Sequence, residues 1–288
     1  MKVRLFALLS ATALFVLVAV PASADEGNSQ GDYLALGDSV AFGYNPLLVH
    51  AGLAGNPSVF VGYPDIAART LGLQLTNASC PGETTGGFIS TTNGQDYRCL
   101  GYRFGLGLPL HVSYPGAQLA FALSFLATHP NTQLVTMDIG ANDVFKLQTD
   151  VCNGDPTCIG NGLPTVLQAI DLNLRFIYGE LRNVAHYTGM IVTLSYYGLT
   201  YDPAAQAGTK ALNAPIIDAT QASGGIVASG FDAFKGPALA AGGSSCAAGL
   251  LIVLTPGNCD VHPTPLGRDL LAAAVVRAVE SGNQDWAA

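Results

Sequence analysis

Three polar clusters in this chain carry the residue types needed for attack by a serine hydroxyl. Ser39 follows the apolar run 33–36, Asn142 follows a strand-like run that ends at residue 139, and His262 lies near the end of the chain. A serine nucleophile needs a base that takes its proton and donors that stabilise the oxyanion it creates. A hydroxyl, a carboxamide and an imidazole, each just past an apolar segment, therefore favour a hydrolase.

Each cluster also has a structural interpretation. Gly-Asp-Ser at 37–39 is common in ordinary turns and helix caps, because Asp and Ser favour both. The string Gly-Ala-Asn-Asp at 140–143 is also typical of a turn that ends a strand, and Asp138, just inside that strand, is expected to be structural. In the catalytic interpretation, Ser39 is the nucleophile and the Asn142 amide donates to the oxyanion.

His262 is the best candidate for the general base, since Asp260 lies two residues before it. The other four histidines have no carboxylate within two residues and are expected to be non-catalytic: His50, His111, His129 and His186. His111 lies in a long loop that borders the predicted site, so it is the least firmly assigned of the four.

The elements that position these residues follow from the alternation of strand-like and helical stretches. This alternation predicts a parallel sheet covered by helices on both faces. The predicted strands span 33–36, 73–77, 133–139, 190–196 and 225–229, with an extra strand at 250–254. The predicted helices span 63–71, 115–128, 164–186, 203–223 and 265–281. In such a sheet the site lies beyond the carboxyl ends of the strands, where Ser39 and Asn142 both fall.

Two glycine-rich stretches, 85–115 and 230–249, show no clear periodicity and are interpreted as long loops. Loops of this length in a compact domain commonly form lids or pocket walls. Within the first stretch, the apolar segment 106–114 has two interpretations, a lid or acyl pocket and a loop packed on the core.

The first 24 residues have the pattern of a secretory signal peptide, with Lys2 and Arg4 before the apolar stretch 5–20 and Ala-Ser-Ala at 22–24. An uncleaved membrane anchor is the alternative, and it is disfavoured because the apolar run is short and ends at Pro21. Residues 25–288 are expected to form one secreted, extracellular domain without stable membrane insertion. Its formal charge of −10 makes nucleic-acid binding a poor explanation, since basic patches supply that affinity.

All six cysteines lie after residue 24, and an even number in an exported protein favours disulfides. Pairing of sequence neighbours predicts Cys80–Cys99, Cys152–Cys158 and Cys246–Cys259. A zinc site is the alternative, and it is disfavoured because no Cys-x-x-Cys pair occurs. No Gly-x-Gly-x-x-Gly follows a strand, so no nucleotide cofactor is expected.

Four sequence blocks together resemble the SGNH hydrolases, also called GDSL-type esterases and lipases. The blocks are 37–39, 77–85, 140–143 and 260–263, and the resemblance covers nearly all of the chain after residue 24. It implies a three-layer α/β/α sandwich with a central, mostly parallel five-stranded sheet of flavodoxin-like type. It also implies metal-free and cofactor-free ester hydrolysis, with an oxyanion hole made by the Ser39 N–H, the Gly82 N–H and the Asn142 side chain.

The last block departs from the family pattern. The family places the acidic member of its triad three residues before the histidine, and that position here is Cys259. Asp260 is the preferred replacement, while a backbone carbonyl that leaves a Ser39–His262 dyad stays open. In either case some group must hold the imidazole with Nε2 facing the serine.

The sequence therefore predicts a secreted serine ester hydrolase that cleaves lipid or acyl esters through an acyl-enzyme on Ser39. A carbohydrate O-acetyl esterase is the next candidate, because the family contains both activities. A metallophosphoesterase and a non-catalytic secreted binding module are less favoured. The expected partner is a small-molecule or lipid ester, and the sequence does not indicate the oligomeric state.

Overall fold

A five-stranded parallel sheet forms the centre of the molecule. The computed structural model describes residues 31–92 and 97–286. The strands are β1 (Asp32–Gly37), β2 (Gln74–Asn77), β3 (Thr132–Asp138), β4 (Met190–Ser195) and β5 (Ile226–Ser229). Their order is β2-β1-β3-β4-β5, and every neighbouring pair is parallel. The predicted α/β fold with a five-stranded sheet is confirmed.

Helices cover both faces of this sheet. They are α1 (Ser39–Phe42), α2 (Pro46–His50), α3 (Tyr63–Leu71), α4 (Thr85–Ile89), α5 (Tyr97–Leu100), α6 (Gln118–Thr128), α7 (Ala141–Lys146), α8 (Pro156–Asn183), α9 (Pro203–Ala222), α10 (Gly230–Ala240) and α11 (Pro265–Trp286). A 3-10 turn spans Pro57–Val59, and π-helical turns span Gly101–Gly105 and Leu147–Val151. Helices α3 and α11 contact one another on one face, and α6, α8 and α9 pack together on the other. The central strands β1, β3 and β4 are almost fully buried because both of their faces are covered.

A short antiparallel hairpin follows the sheet and carries the histidine cluster. It consists of β6 (Leu251–Thr255) and β7 (Asn258–Pro263). The two strands are joined by Pro256 and Gly257, and Gly257 has a φ of 79°. The sequence predicted β6 alone and missed β7.

Three predictions about elements are wrong. Helix α8 begins at Pro156 rather than at Pro164, because the Asp155 carboxylate caps it by accepting from the N–H groups of Thr157 and Cys158. The stretch 230–249 is largely the helix α10, and 85–115 contains α4 and α5.

Of the two interpretations of the segment 106–114, the structure agrees with the loop packed on the core. The side chains of Leu108, Leu110 and Tyr114 are buried.

Three disulfide bonds fasten loops around this framework. They join Cys80 to Cys99, Cys152 to Cys158, and Cys246 to Cys259, the pairs expected from sequence neighbours. Such bonds indicate an extracellular or otherwise oxidising environment. Within the described part of the chain, no helix has the length and apolarity needed to cross a bilayer. The predicted signal peptide, residues 1–24, lies outside the described residues.

Candidate active site

The sharp turn between β1 and α1 presents Ser39 at the carboxyl end of the central strand. Asp38 caps α1, and its Oδ1 accepts from the Val40 N–H at 2.9 Å. Gly37 has a φ of 130°, and a Cβ atom there would collide with the Asp138 carbonyl group. Only glycine fits this position, so the close contact of β1 with β3 fixes where the Ser39 hydroxyl points.

The hairpin brings His262 to the Ser39 hydroxyl. His262 Nε2 lies 2.8 Å from Ser39 Oγ, although the two residues are 223 positions apart in sequence. On the other side of the ring, Nδ1 hydrogen-bonds Asp260 Oδ1. The same carboxylate oxygen accepts from the His262 backbone N–H at 3.0 Å. A spacing of two residues therefore suffices for Asp260 to reach Nδ1 and to leave Nε2 facing the serine.

Three further contacts fix the histidine strand. The Tyr44 ring lies 4.9 Å from the imidazole, between ring centroids. The Tyr197 hydroxyl donates to the Val261 carbonyl oxygen at 2.6 Å, and the Tyr197 ring stacks on Phe234. The Cys246–Cys259 disulfide holds the residue next to Asp260. The nearly buried His262 thus has little freedom to leave the serine.

Asp260 is held as a carboxylate. Partial burial would raise its pKa, but the hydrogen bond and charge of His262 act in the opposite direction and lower the pKa below its ordinary value. Asp260 therefore stays ionised across the neutral range, where it stabilises a protonated His262.

Three residues that carry candidate hydrogen-bond donors line the cavity at Ser39. The Ser39 N–H lies in the first turn of α1, where backbone donors have no acceptor within the helix. Gly82 has a φ of 80°, and a Cβ atom there would lie 2.8 Å from the Tyr102 ring. The Asn142 amide group donates one N–H to Asp38 Oδ2 at 3.1 Å. Ser39, Gly82 and Asn142 line one cavity together with Asp260 and His262.

Asp143 joins the two loops that carry these donors. The Thr85 backbone N–H and the Thr85 hydroxyl donate to its carboxylate at 2.9 and 2.7 Å. This contact connects the start of α7, next to Asn142, with the start of α4, three residues beyond Gly82. Burial raises the pKa of Asp143 to about 6, despite the opposing hydrogen bonds from Thr85.

The raised pKa of Asp143 predicts a pH dependence of stability. The folded state binds a proton here more tightly than the unfolded chain does, so the contribution of Asp143 to the free energy of unfolding decreases as the pH rises from about 4 to about 6 and is flat above that. Because Asp143 lines a second, solvent-accessible cavity, the decrease is at most about 3 kcal/mol. Replacement D143N is expected to remove this part of the slope, which chemical denaturation between pH 4 and pH 7 measures. An unchanged slope in D143N would show that Asp143 is not the group responsible for this part of the pH dependence.

The cavity at Ser39 has a volume of about 470 Å³ and is lined in part by residues of α7, α8 and α9. One part of its wall is aliphatic and aromatic, made by Val144, Phe145, Ile159, Leu163, Leu199 and Leu212. Its polar lining side chains include Arg98, Gln148 and Thr209. The cavity therefore combines the Ser39 hydroxyl with an apolar surface.

The remaining histidines lie outside this cavity. The His111 Nε2 contacts the Phe42 carbonyl oxygen at 3.0 Å, and its ring packs on Phe42. The His129 Nδ1 contacts the Phe125 carbonyl oxygen at 2.9 Å. Both rings therefore contact backbone carbonyl groups outside the cavity; that they are non-catalytic stays a prediction.

Sequence reasoning missed Tyr196 and Tyr197. Both line the cavity, and the Tyr196 hydroxyl donates to Asp38 Oδ2 at 2.6 Å. A signal was available, because the two tyrosines directly follow β4, at the same edge of the sheet as Ser39 and Asn142.

One group of potential metal ligands occurs within residues 31–92 and 97–286. Cys80, Glu83 and Cys99 lie close enough together to contact a single ion. Because Cys80 and Cys99 are bonded to each other, their thiolates are not available as ligands.

Comparison with known proteins gives a family and a shared fold. A model described as the GDSL-like lipase/acylhydrolase family matches residues 35–270. No curated protein matches the chain significantly. Phospholipase A1 from Streptomyces albidoflavus NA297 superposes with a TM-score of 0.54 at 19% identity, over 88% of this chain and 99% of that chain.

Two further solved structures are similar to this degree. An acetylxylan esterase from Geobacillus stearothermophilus has a TM-score of 0.53 at 15% identity, over 86% of this chain and 94% of its own. An alpha/beta hydrolase from the metagenome of Lake Arreo, Spain, has a TM-score of 0.52 at 16% identity, over 87% of this chain and 95% of its own. At such identities the structural likeness establishes the fold alone.

Proposed function

The chain belongs to the GDSL-like lipase/acylhydrolase family and is a carboxylic ester hydrolase, and from this premise we propose that it cleaves lipid or other acyl esters through an acyl-enzyme on Ser39. The observation that carries the proposal is the 2.8 Å contact between Ser39 Oγ and His262 Nε2 at the end of a largely apolar cavity. The contact supplies the nucleophile and its base, and the cavity supplies a surface for the acyl chain.

The proposed reaction has two halves. His262 Nε2 takes the Ser39 proton as Oγ bonds to the ester carbonyl carbon, and the oxyanion accepts from Ser39 N–H, Gly82 N–H and the Asn142 amide. His262 then protonates the leaving alcohol as its bond to the acyl carbon breaks. In the second half, His262 activates a water molecule that releases the acid from Ser39. Asp260 stabilises the imidazolium in both halves.

The choice of an acyl substrate follows from the cavity wall. The apolar side chains of this wall offer no charge and few hydrogen bonds to a sugar, whereas they can bury methylene groups. Each buried methylene contributes about 0.8 kcal/mol, or about fourfold in kcat/KM where the chain contacts the wall. Among nitrophenyl esters of increasing chain length, kcat/KM should therefore rise from acetyl toward medium or long chains.

Narrowing the cavity is expected to shift this preference. Leu212 lines the apolar wall from α9, so L212W fills space that a long chain needs. We expect L212W to lower kcat/KM for the longest substrate by about tenfold or more while its acetyl ester activity changes little. The same chain-length series, measured on both proteins, tests this expectation.

Leu172 offers a matched control, because it lies on the exposed surface of α8 and outside the cavity. The variant L172W should reproduce the wild-type profile. If L172W and L212W shift the profile equally, the cavity does not hold the acyl chain. A sharp preference of the wild-type protein for acetyl would instead favour the carbohydrate O-acetyl esterase.

We further propose that the protein is secreted, with residues 1–24 as the signal peptide and residues 25–288 as one domain. The basic start and the apolar stretch of the N-terminal segment support this proposal. The three disulfides are consistent with it, because they persist in oxidising compartments.

A further inference from the structure

Two buried carboxyl groups, of Asp38 and Asp138, lie directly beneath the Ser39 turn. Each residue is only 1% exposed. They come together because β1 and β3 are neighbours that end at the same level, with Gly37 opposite Asp138 and the Asp38 N–H donating to the Asp138 carbonyl oxygen at 3.0 Å. The proposed steps of ester hydrolysis use neither carboxyl group.

Asp38 accepts the stronger set of hydrogen bonds. Its Oδ1 accepts from the Val40 N–H at 2.9 Å, and its Oδ2 accepts from the Tyr196 hydroxyl at 2.6 Å and the Asn142 amide at 3.1 Å. Asp138 accepts from the Tyr63 hydroxyl at 3.1 Å and from the Ala41 N–H at 3.3 Å. Three donors therefore face Asp38, whereas two more distant donors face Asp138.

The two carboxyl groups lie close together, because they accept from the N–H groups of the consecutive residues Val40 and Ala41. A hydrogen bond between them needs a proton on one of them, because an ionised carboxylate only accepts. Two adjacent buried carboxyl groups do not both ionise, since each charge opposes the other in a medium of low dielectric constant. The pair thus shares one proton, and the donor sets favour the negative charge on Asp38.

The electrostatic environment agrees with this distribution. Burial, together with the charge on Asp38, raises the pKa of Asp138 well above its ordinary value. Burial also raises the pKa of Asp38, but the hydrogen bonds from Tyr196 and Val40 oppose that rise.

The titratable groups that face the pair come from five segments. They are Tyr33 on β1, Tyr63 on α3, Tyr102 on the π-helical turn Gly101–Gly105, Tyr196 and Tyr197 after β4, and His262 on β7. Burial raises the pKa of all five tyrosines, so they remain neutral phenols. His262 is the group among them that becomes a cation when it takes up a proton, and its charge favours an ionised Asp38.

We infer that Asp138 is held as a neutral carboxylic acid that donates its proton to Asp38, and that the Asp38 carboxylate fixed in this way positions the Asn142 amide toward the oxyanion. Asp38 and Asp138 are thus positioning residues. With one N–H of Asn142 bound to Asp38, the other has a defined direction, which is the condition for stabilising charge in the transition state. The second part of this inference rests on the proposed role of Asn142, whereas the location of the proton does not.

A matched pair of amide variants tests the inference. In D138N the new amide keeps a donor toward Asp38 and has nearly the shape of the acid. In D38N the new amide places N–H groups where Asn142 and Tyr196 already donate. We expect kcat for an aryl ester to fall by about 100-fold or more in D38N, but by less than about tenfold in D138N. KM should change little in either variant, because the oriented Asn142 amide stabilises the transition state rather than the bound ester.

Infrared spectroscopy supplies a readout that does not depend on activity. At about pH 8, which lies above the pKa of Asp143, the wild-type protein and the inactive variant S39A should both show the carbonyl band of a buried protonated carboxyl group. That band should disappear in D138N. Its absence from the wild-type protein, or its persistence in D138N, would overturn the proton assignment.

The kinetic outcomes are equally decisive. A larger loss in D138N than in D38N, or equal losses, would contradict the inference. If D38N does not fold, a loss beyond about tenfold in folded D138N still counts against it. If the wild-type protein hydrolyses no ester, the proposed function fails, and the infrared band continues to test where the proton resides.

Discussion

Replacement of Ser39 by alanine is expected to lower kcat for an aryl ester by at least about 10⁴-fold, because the acyl-enzyme cannot form without the hydroxyl. The substitution removes the 2.8 Å hydrogen bond between Ser39 Oγ and His262 Nε2. The cap of α1 depends on Asp38 rather than on Ser39, and Asp260 still holds the histidine. The variant should therefore fold like the wild-type protein, with a melting temperature within a few degrees of it.

Covalent labelling separates loss of the nucleophile from general damage. A fluorophosphonate should add once to the wild-type protein and not to S39A, as measured by the mass of the intact chain. Ser58 is a suitable control, because it lies on a surface turn and hydrogen-bonds the Asn56 side chain within that turn. The variant S58A should keep full activity and labelling. Activity of S39A within tenfold of the wild-type protein would contradict the assignment of Ser39.

The central strands could be predicted from sequence almost to the residue. Strands β1, β3 and β4 are buried on both faces, so each is a continuous apolar run that local composition reveals. Strand β7 gave no such signal, because it is polar and only partly buried. The start of α8 was misplaced because Pro164 resembles a first-turn proline, whereas Asp155 and Pro156 make the true start and Pro164 is inside the helix.

The candidate site was also predictable only where local sequence carries the signal. Ser39 and Asn142 could be found from residue type and position after a strand, and His262 from its neighbouring carboxylate. The proposed roles of Asp138 and Tyr196 could not be predicted from the sequence. They depend on which side chains contact Asp38 in the folded chain, where three neighbouring strands end. The wall of the cavity was not predicted either. It combines a few residues each from α7, α8, α9 and the loop after β4, and their apolar character is equally consistent with core packing.

Replacement of Asp260 by asparagine is expected to lower kcat by about 10³–10⁴-fold. The carboxylate now accepts from both the ring Nδ1 and the backbone N–H of His262. An amide presents N–H groups as well as an oxygen, and an amide N–H turned toward Nδ1 favours the tautomer with the proton on Nε2. In that tautomer His262 cannot accept the Ser39 proton, and the imidazolium that forms during the reaction has no counter-charge beside it.

The variant D232N is the control, because Asp232 lies at the start of α10 and hydrogen-bonds Ser229 there. It should keep the kcat of the wild-type protein. A loss of less than tenfold in D260N would mean that a backbone carbonyl orients His262, and that Ser39 and His262 act as a dyad.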